Sequence, residues 1–288
     1  MTDSIPRNVP TIGLIVIGDE ILSGKRQDKH LPKVVELLGQ RGLTLGWAEY
    51  VGDDPERITA TLKRAFASGD VVFSTGGIGA TPDDHTRSCA AHALGVPLVL
   101  HPQAKALIEE RMRDMAAEQG VAFAPEHADY LRRLNMGIFP AGAQIIPNPY
   151  NKIPGFSCRS SRASDEVQDA PWDAAVHFVP GFPVMAWPMM EWVLDHRYAH
   201  LHHLTAHAER SVIVFGTMEA TLTPVMERIE ASFPGVKIFS LPSVDHPQYG
   251  RHIDLGVKGA PDAVAAAYAE LRTQLAPLNL SYGPELVR

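Results

Sequence analysis

Cysteine is nearly missing: Cys89 and Cys158 are the two in 288 residues, too few for a disulfide framework and at a separation that fits no zinc spacing. No apolar run approaches the roughly 18 residues needed to cross a bilayer, so no membrane partner is expected. Runs of lysine or arginine are also missing, and the formal net charge is -7 at pH 7. That sign argues against nucleic acid as the main partner and leaves a small molecule or another protein. The opening residues, MTDSIPRNVP, contain no basic segment followed by an apolar core, the pattern of an export signal. A cytoplasmic protein in a reducing compartment is the expectation. Disorder is not indicated either, because 45% of residues are hydrophobic and 20% charged, which is the globular range. The length holds one large domain, or a large and a small one.

What is present is a regular alternation. Residues 12–17, IGLIVI, form a nearly continuous apolar run, as expected of a parallel strand buried on both faces. Leu31, Val34, Val35, Leu37 and Leu38 fall on one helical face and are followed by Gly39 and Gly42. LTLGWAEYV reads as a second strand. In the next segment Asp54 can cap a helix, Pro55 takes its first position, and Ile58, Leu62 and Phe66 recur at helical spacing. A third strand, VVFS, runs into a glycine turn and another helix. This order predicts right-handed crossovers and a parallel sheet covered on both faces.

Residues 102–119 and 125–136 read as helices outside the sheet, and AQIIPN, GFSC and AAVHFVPG as short strands returning to it. The polar segment from 159 to 173 reads as an exposed loop. Beyond HLHHLTAHA the rhythm becomes strand, helix, strand, strand, helix, which predicts a small α+β unit. The expected domains are residues 1–205 and 206–288.

Ligands of open parallel sheets bind beyond the carboxyl ends of the strands. Three predicted strand ends carry acids: Gly18, Asp19, Glu20, Ser23, Gly24 and Asp28 after the first, Asp53 and Asp54 after the second, and TGGIGATPDD, Thr75 to Asp84, after the third. The third is neither a Walker loop, since it lacks the lysine, nor G-x-G-x-x-G, since its glycines are Gly76, Gly77 and Gly79. Its amides can still approach an anion closely, and a helix expected to begin near Thr81 points its positive end the same way. The plainer reading of Asp83 and Asp84 is a capping box, with Thr81 as cap and Asp84 reaching back to it. The convergence of acids on one sheet edge favours a second role as oxygen ligands of a hard cation such as Mg²⁺. Pro180 and Gly181, in a rigid Pro-Gly-Phe-Pro turn at another strand end, can close the crevice.

The blocks IGDEILSGKRQD, VGDDPERI, STGGIGATPDDHT, IIPNPYNKIPGF, VPGFPVMAWPM and FGTMEATL resemble, in order and spacing, the N-terminal domain of CinA, itself similar to the molybdopterin-binding fold of MogA, MoaB and MoeA. The resemblance implies a three-layer αβα domain with a mostly parallel sheet, followed by a small α+β domain, and a dimer or trimer. It implies a nucleotide or pterin phosphate as ligand. In the CinA branch it implies metal-dependent hydrolysis of a nucleotide pyrophosphate such as ADP-ribose, with Mg²⁺, Mn²⁺ or Co²⁺. In the molybdenum-cofactor branch it implies molybdopterin binding and adenylyl transfer, and a non-catalytic ligand-binding protein is the remaining alternative. Carried over by position, Thr75, Gly76, Gly77, Gly79 and Thr81 hold phosphate, with Gly18, Ser23, Gly24, Pro180 and Gly181 around the ligand. Asp19, Glu20, Asp28, Asp83 and Asp84 face a metal, and Asp53, Asp83 and Asp84 are the catalytic candidates. His30 stands where these proteins usually have asparagine, and Ala80 where they usually have proline. CinA's C-terminal NMN deamidase domain has no counterpart among the matched blocks.

Overall fold

The computed structural model describes residues 10–159, 174–204 and 208–288. Residues 160–173 of the polar loop, and the expected boundary at 205/206, lie outside the described residues. The chain divides into two compact units, Met1–His202 and His203–Arg288.

The first unit opens with β1 (Ile12–Ile17), a single-turn helix α1 (Asp19–Leu22), α2 (His30–Gly39), β2 (Leu45–Val51), α3 (Pro55–Ser68), β3 (Val71–Thr75) and α4 (Thr86–Leu94). Asp54 caps α3 as the sequence predicts, accepting from the Arg57 N–H at 2.8 Å, and Gly69 ends the helix in the left-handed region. After α4 come β4 (Leu98–Leu100), α5 (Pro102–Glu118), α6 (Ala128–Leu134), β5 (Ile138–Pro140), β6 (Gln144–Ile146), β7 (Gly155–Arg159), β8 (Ala175–Val179) and α7 (Pro183–Arg197). The main sheet has the order β2-β1-β3-β8-β7-β6. Its first four strands are parallel, and β7 runs antiparallel to both of its neighbours.

Side chains alternate across this sheet and build two cores. Ile15, Ile17 and Val72 pack with Ile58, Leu62 and Phe66 of α3 and with Cys89 of α4. Leu14, Val16 and Phe73 pack with Val34, Leu37 and Leu38 of α2 and with Met189, Met190 and Val193 of α7. The arrangement is αβα, with each fully buried Leu or Ile contributing about 1.5–3 kcal/mol of transfer free energy.

The second unit contains β9 (Ala208–Phe215), α8 (Glu219–Ser232), β10 (Lys237–His246), β11 (Gly250–Gly259), α9 (Pro261–Leu275) and β12 (Ser281–Val287). Its sheet, β10-β11-β9-β12, is antiparallel throughout. The strand β12 is an addition to the sequence reading. Gly283 and Pro284 disguise it, and they sit where its register with β9 shifts, between Tyr282 and Glu285 on an edge strand.

Candidate functional site

The carboxyl ends of β1, β3 and β8 lie side by side and open onto a cleft of about 710 Å³. Its wall is built from the turns that leave those strands: Gly18 after β1, Gly76 to Thr81 after β3, and Pro180 to Phe182 after β8. Hydrogen bonds register the turns against the sheet, Gly18 N–H to the Val51 carbonyl at 3.0 Å and Gly76 N–H to the Val179 carbonyl at 3.1 Å.

The glycine turn owes its shape to the first residues of α4. Thr86 Oγ1 donates to the Gly76 carbonyl at 3.0 Å, and Thr86 N–H donates to the Gly77 carbonyl at 3.0 Å. The Arg87 guanidinium donates to the carbonyls of Ile78 and of Gly79, the latter at 2.6 Å. In a planar trans peptide the N–H points away from the C=O of the same unit. With the carbonyls of Gly76, Gly77 and Gly79 fastened to α4, the N–H groups of Gly77, Ile78 and Ala80 are turned the other way. No acceptor among the described residues takes any of the three. Successive outward amides of this kind form an anion-binding concavity. Two of the glycines are obligatory. Gly76 and Gly77 have φ of 97° and 66°, and a Cβ would strike the Ile17 carbonyl oxygen in the first case and Thr86 Oγ1 in the second.

The expected helix start near Thr81 is corrected: α4 begins at Thr86, and His85 precedes it without a side-chain cap. The reason is Asp84, whose carboxylate accepts from Gly79 N–H at 2.8 Å, from Thr81 N–H at 2.7 Å and from Thr81 Oγ1 at 2.6 Å. These bonds hold residues 79–84 as a closed turn. Each Asp84 oxygen accepts at least one of these bonds, so Asp84 shapes the turn, and it lines the cleft as well. Thr81 lines the cleft with both its N–H and its hydroxyl already used.

The remaining acids divide. Asp28 is a capping residue: it accepts from the N–H groups of His30 at 2.8 Å and Leu31 at 3.1 Å and from the Tyr50 hydroxyl at 2.8 Å. It does not line the cleft. Asp19 and Asp53 clasp each other, Asp19 N–H to Asp53 Oδ2 at 2.9 Å and Asp53 N–H to Asp19 Oδ1 at 3.2 Å. Asp53, Glu20 and Asp83 line the cleft, whereas Asp19 faces a neighbouring groove. Partial burial raises the Asp53 pKa above the ordinary carboxylate value, the Asp19 N–H works against this, and the negative charges of Asp19, Glu20 and Asp83 add to the rise. No three His, Cys, Asp or Glu among the described residues could hold a metal ion by themselves. The pair Asp53 and Glu20 still suits a hard cation that takes one or two carboxylates together with substrate phosphates.

Thr75 and the Ser23–Gly24 turn are placed differently from expectation. Thr75 is the last residue of β3 and lies inside the sheet, 1% exposed, rather than in the cleft. Ser23 N–H and Gly24 N–H close α1 onto the Asp19 and Ile21 carbonyls. That left-handed turn redirects the chain, and the next two residues, Lys25 and Arg26, line the cleft instead.

Sequence reasoning missed these two cations, together with Thr86, Arg87 and the turn of Asn148 and Asn151. The Asn148 amide, 5% exposed, donates to Asn151 Oδ1 at 2.8 Å and to the Ile153 carbonyl at 2.9 Å. Two asparagines in a proline-flanked turn were the available signal. The His30 ring, 4% exposed, reaches across to the Gly181 carbonyl with Nε2 at 3.0 Å. Burial lowers its pKa, outweighing that bond and the Asp28 charge, so the ring is neutral near pH 7.

A family model described as "Probable molybdopterin binding domain" matches residues 13–200. A CinA-like protein of Anaeromyxobacter sp. (strain K) is 32% identical over 196 residues, which are 68% of this chain and 43% of that one. A protein of Pyrobaculum calidifontis is 27% identical over 267 residues, 92% of this chain and 94% of its own length. The chain spans about half the length of the CinA-like proteins it matches at its best. A solved structure of the protein CinA from Thermoplasma acidophilum, described as of unknown function, superposes with a TM-score of 0.51 at 24% identity, covering 64% of this chain and 97% of that one. With its αβα layers, its glycine turn and a family match over most of its length, the chain belongs to the molybdopterin-binding domain family and is CinA-like.

Proposed function

We propose that this protein binds the phosphate of a nucleotide-like ligand on the amides of Gly77, Ile78 and Ala80 and hydrolyses a phosphoanhydride, with an ADP-ribose-like diphosphate as substrate. One observation carries the reading: three residues whose N–H groups have no acceptor among the described residues, Gly77, Ile78 and Ala80, line the same cleft as Asp53, whose pKa is raised. Amides aimed at a phosphate oxygen stabilise charge as it develops. Asp53, more basic than an ordinary carboxylate, accepts the proton of an attacking water. Lys25 offsets the charge of the second phosphate. A divalent cation, Mg²⁺, Mn²⁺ or Co²⁺, would be held by Glu20 and the ligand's phosphate oxygens, leaving Asp53 free as base, and would supply further charge neutralisation and a more acidic water.

The test is AMP release from ADP-ribose with each of the three metals. Release with at least one is expected, and none with any of them removes the hydrolytic reading. Molybdopterin binding with ATP-dependent adenylylation, in the absence of AMP release, would place the protein in cofactor biosynthesis instead.

Asp53→Asn separates catalysis from stability. Asn keeps an acceptor for the Asp19 N–H and removes the charge. A folded-state pKa above the unfolded value stabilises at low pH, and that contribution is lost as pH rises through the folded pKa, so ionised Asp53 costs stability near neutrality. The variant is expected to melt no lower than the wild type at pH 7, while AMP release falls about 100-fold or more, the lower end of general-base effects. Thermal melts alongside turnover check both.

A further inference from the structure

We propose that β4 is a self-association edge, on which a second copy of this chain pairs its own β4 antiparallel about a two-fold axis through Val99. The contact uses no residue of the cleft lining, so it stands or falls apart from the ligand-binding reading. Strands β4 and β5 form a two-stranded sheet of their own, with Leu98 opposite Pro140, Val99 opposite Phe139 and Leu100 opposite Ile138. One edge of β4 faces β5 and the other is free. All three of its residues are aliphatic, and Leu98, Val99 and Leu100 are 41%, 43% and 40% exposed. A free strand edge is a template for another chain, and proteins blunt it with charge, proline or a covering element. Other free edges of this molecule do so: Glu49 stands on β2, Pro242 and Asp245 on β10, and Pro284 and Glu285 on β12. Strand β4 carries none of these, and no Lys, Arg, Asp or Glu occurs from 88 to 104.

The backbone of β4 is arranged to pair with itself. The Ala141 N–H donates to the Pro97 carbonyl at 2.9 Å, and the His101 N–H to the Gly137 carbonyl at 3.0 Å. Both bonds cross to the β5 side, and in an antiparallel ladder the bonded pairs recur at every second residue. Val99 therefore bonds to Phe139, while the N–H and C=O groups of Leu98 and Leu100 point to the free edge. None of these four groups has a partner among the described residues. The outward residues are symmetric about Val99. With Val99 opposite Val99 of the second copy, Leu98 meets Leu100 of the second copy, the two exchange both N–H···O bonds, and the axis repeats the exchange on its other side. Pro97, which has no N–H to give, falls opposite His101 of the second copy, at a position where the ladder needs none. A two-fold axis brings a residue on it beside its own counterpart, so a charge at this position would repel itself, and β4 has none. Three residues make a small contact, so the dimer is expected to form as concentration rises rather than to be obligate.

The test reads both mass and register on the full chain. Analytical ultracentrifugation of the wild type is expected to show a monomer–dimer equilibrium. Val99→Lys sets two ammonium groups against each other across the axis, and Leu100→Pro removes an outward N–H without touching the bonds to β5. Both variants are expected to stay at monomer mass where the wild type dimerises, with unchanged circular dichroism. Val287→Lys, 70% exposed on β12, is the control and should dimerise as the wild type does. For register, non-bonded antiparallel partners have Cα atoms about 4.5 Å apart, within disulfide reach, and the native Cys89 and Cys158 are buried. Val99→Cys is expected to give a covalent dimer with glutathione disulfide as oxidant. Leu98→Cys, whose own counterpart lies two residues further along the facing strand, is beyond that reach and should stay uncoupled. A wild type that is monomeric at every concentration, an odd-numbered assembly, a dimer that survives both Val99→Lys and Leu100→Pro, or equal coupling at 98 and 99 overturns the proposal.

Discussion

Gly76→Ala is expected to cost roughly 3 kcal/mol or more of folding stability and to abolish phosphate binding. Two independent effects combine. A non-glycine residue at a φ of 97° carries about 1–3 kcal/mol of backbone strain. The new methyl would also press on the Ile17 carbonyl oxygen, which is backbone and part of β1, so the relief available to a flexible side chain is absent. Overpacking of that kind adds about 1–3 kcal/mol. In a domain of this size each kcal/mol shifts Tm by about 2–4 °C, so thermal denaturation should show a fall of roughly 6–15 °C. Gly24→Ala, also at positive φ (72°) but with open space around its Cβ position, is the control and should lose only the strain. A Gly76→Ala protein that melts within a degree or two of the wild type would contradict the geometry of the turn.

Asp84→Ala has the second large effect, and its character separates two roles for this acid. The substitution frees the Gly79 and Thr81 N–H groups and the Thr81 hydroxyl and removes the negative charge that partly offsets the burial of Arg87. Loss of hydrogen bonds to a charged group costs about 1.5–3 kcal/mol. Once residues 79–84 open, the Ala80 amide is no longer held toward the cleft, and phosphate affinity should fall about 100-fold, the scale of losing a preorganised donor. That fall is expected with or without a divalent cation, as read by AMP binding in EDTA and in Mg²⁺. A metal-ligand role predicts the opposite: unchanged affinity in EDTA and a loss confined to Mg²⁺. Arg87→Met, which releases the Ile78 and Gly79 carbonyls, should reproduce the metal-independent loss.

The alternation of elements was legible because it depends on local signals. IGLIVI can be little but a buried strand, Asp54-Pro55 can be little but a helix start, and Gly69 ends that helix for the reason glycine ends many. The glycine turn and the acids were legible as strand-end features, and the turn with Glu20, Asp53 and Asp83 lines the cleft. The roles within the site were less so. Thr81-Pro82-Asp83-Asp84 satisfies the capping pattern, yet the helix starts at Thr86, because Asp84 bonds to amides of its own turn before any helix forms. Asp28, expected to face a metal, accepts from the first two N–H groups of α2, His30 and Leu31, and lies outside the cleft lining. Each carboxylate has one set of oxygens, and which donors reach it first depends on distances that spacing in sequence does not contain.

The same division applies to the residues that were overlooked. Arg87 and Thr86 appear as ordinary first-turn residues until the packing of α4 against the turn shows that they grip its carbonyls. Contact between His30 and Gly181 joins positions 151 apart in the chain, and no periodicity reports it. By itself, the sequence determined the alternation of elements and hence the layers, since hydrophobic spacing and turn residues are properties of short segments. Only the tertiary structure decided which amides remain unpaired, which acids keep free oxygens and which cations reach the cleft. Those outcomes are set by competition among groups that meet in space, and each hydrogen bond made by one partner is unavailable to the next.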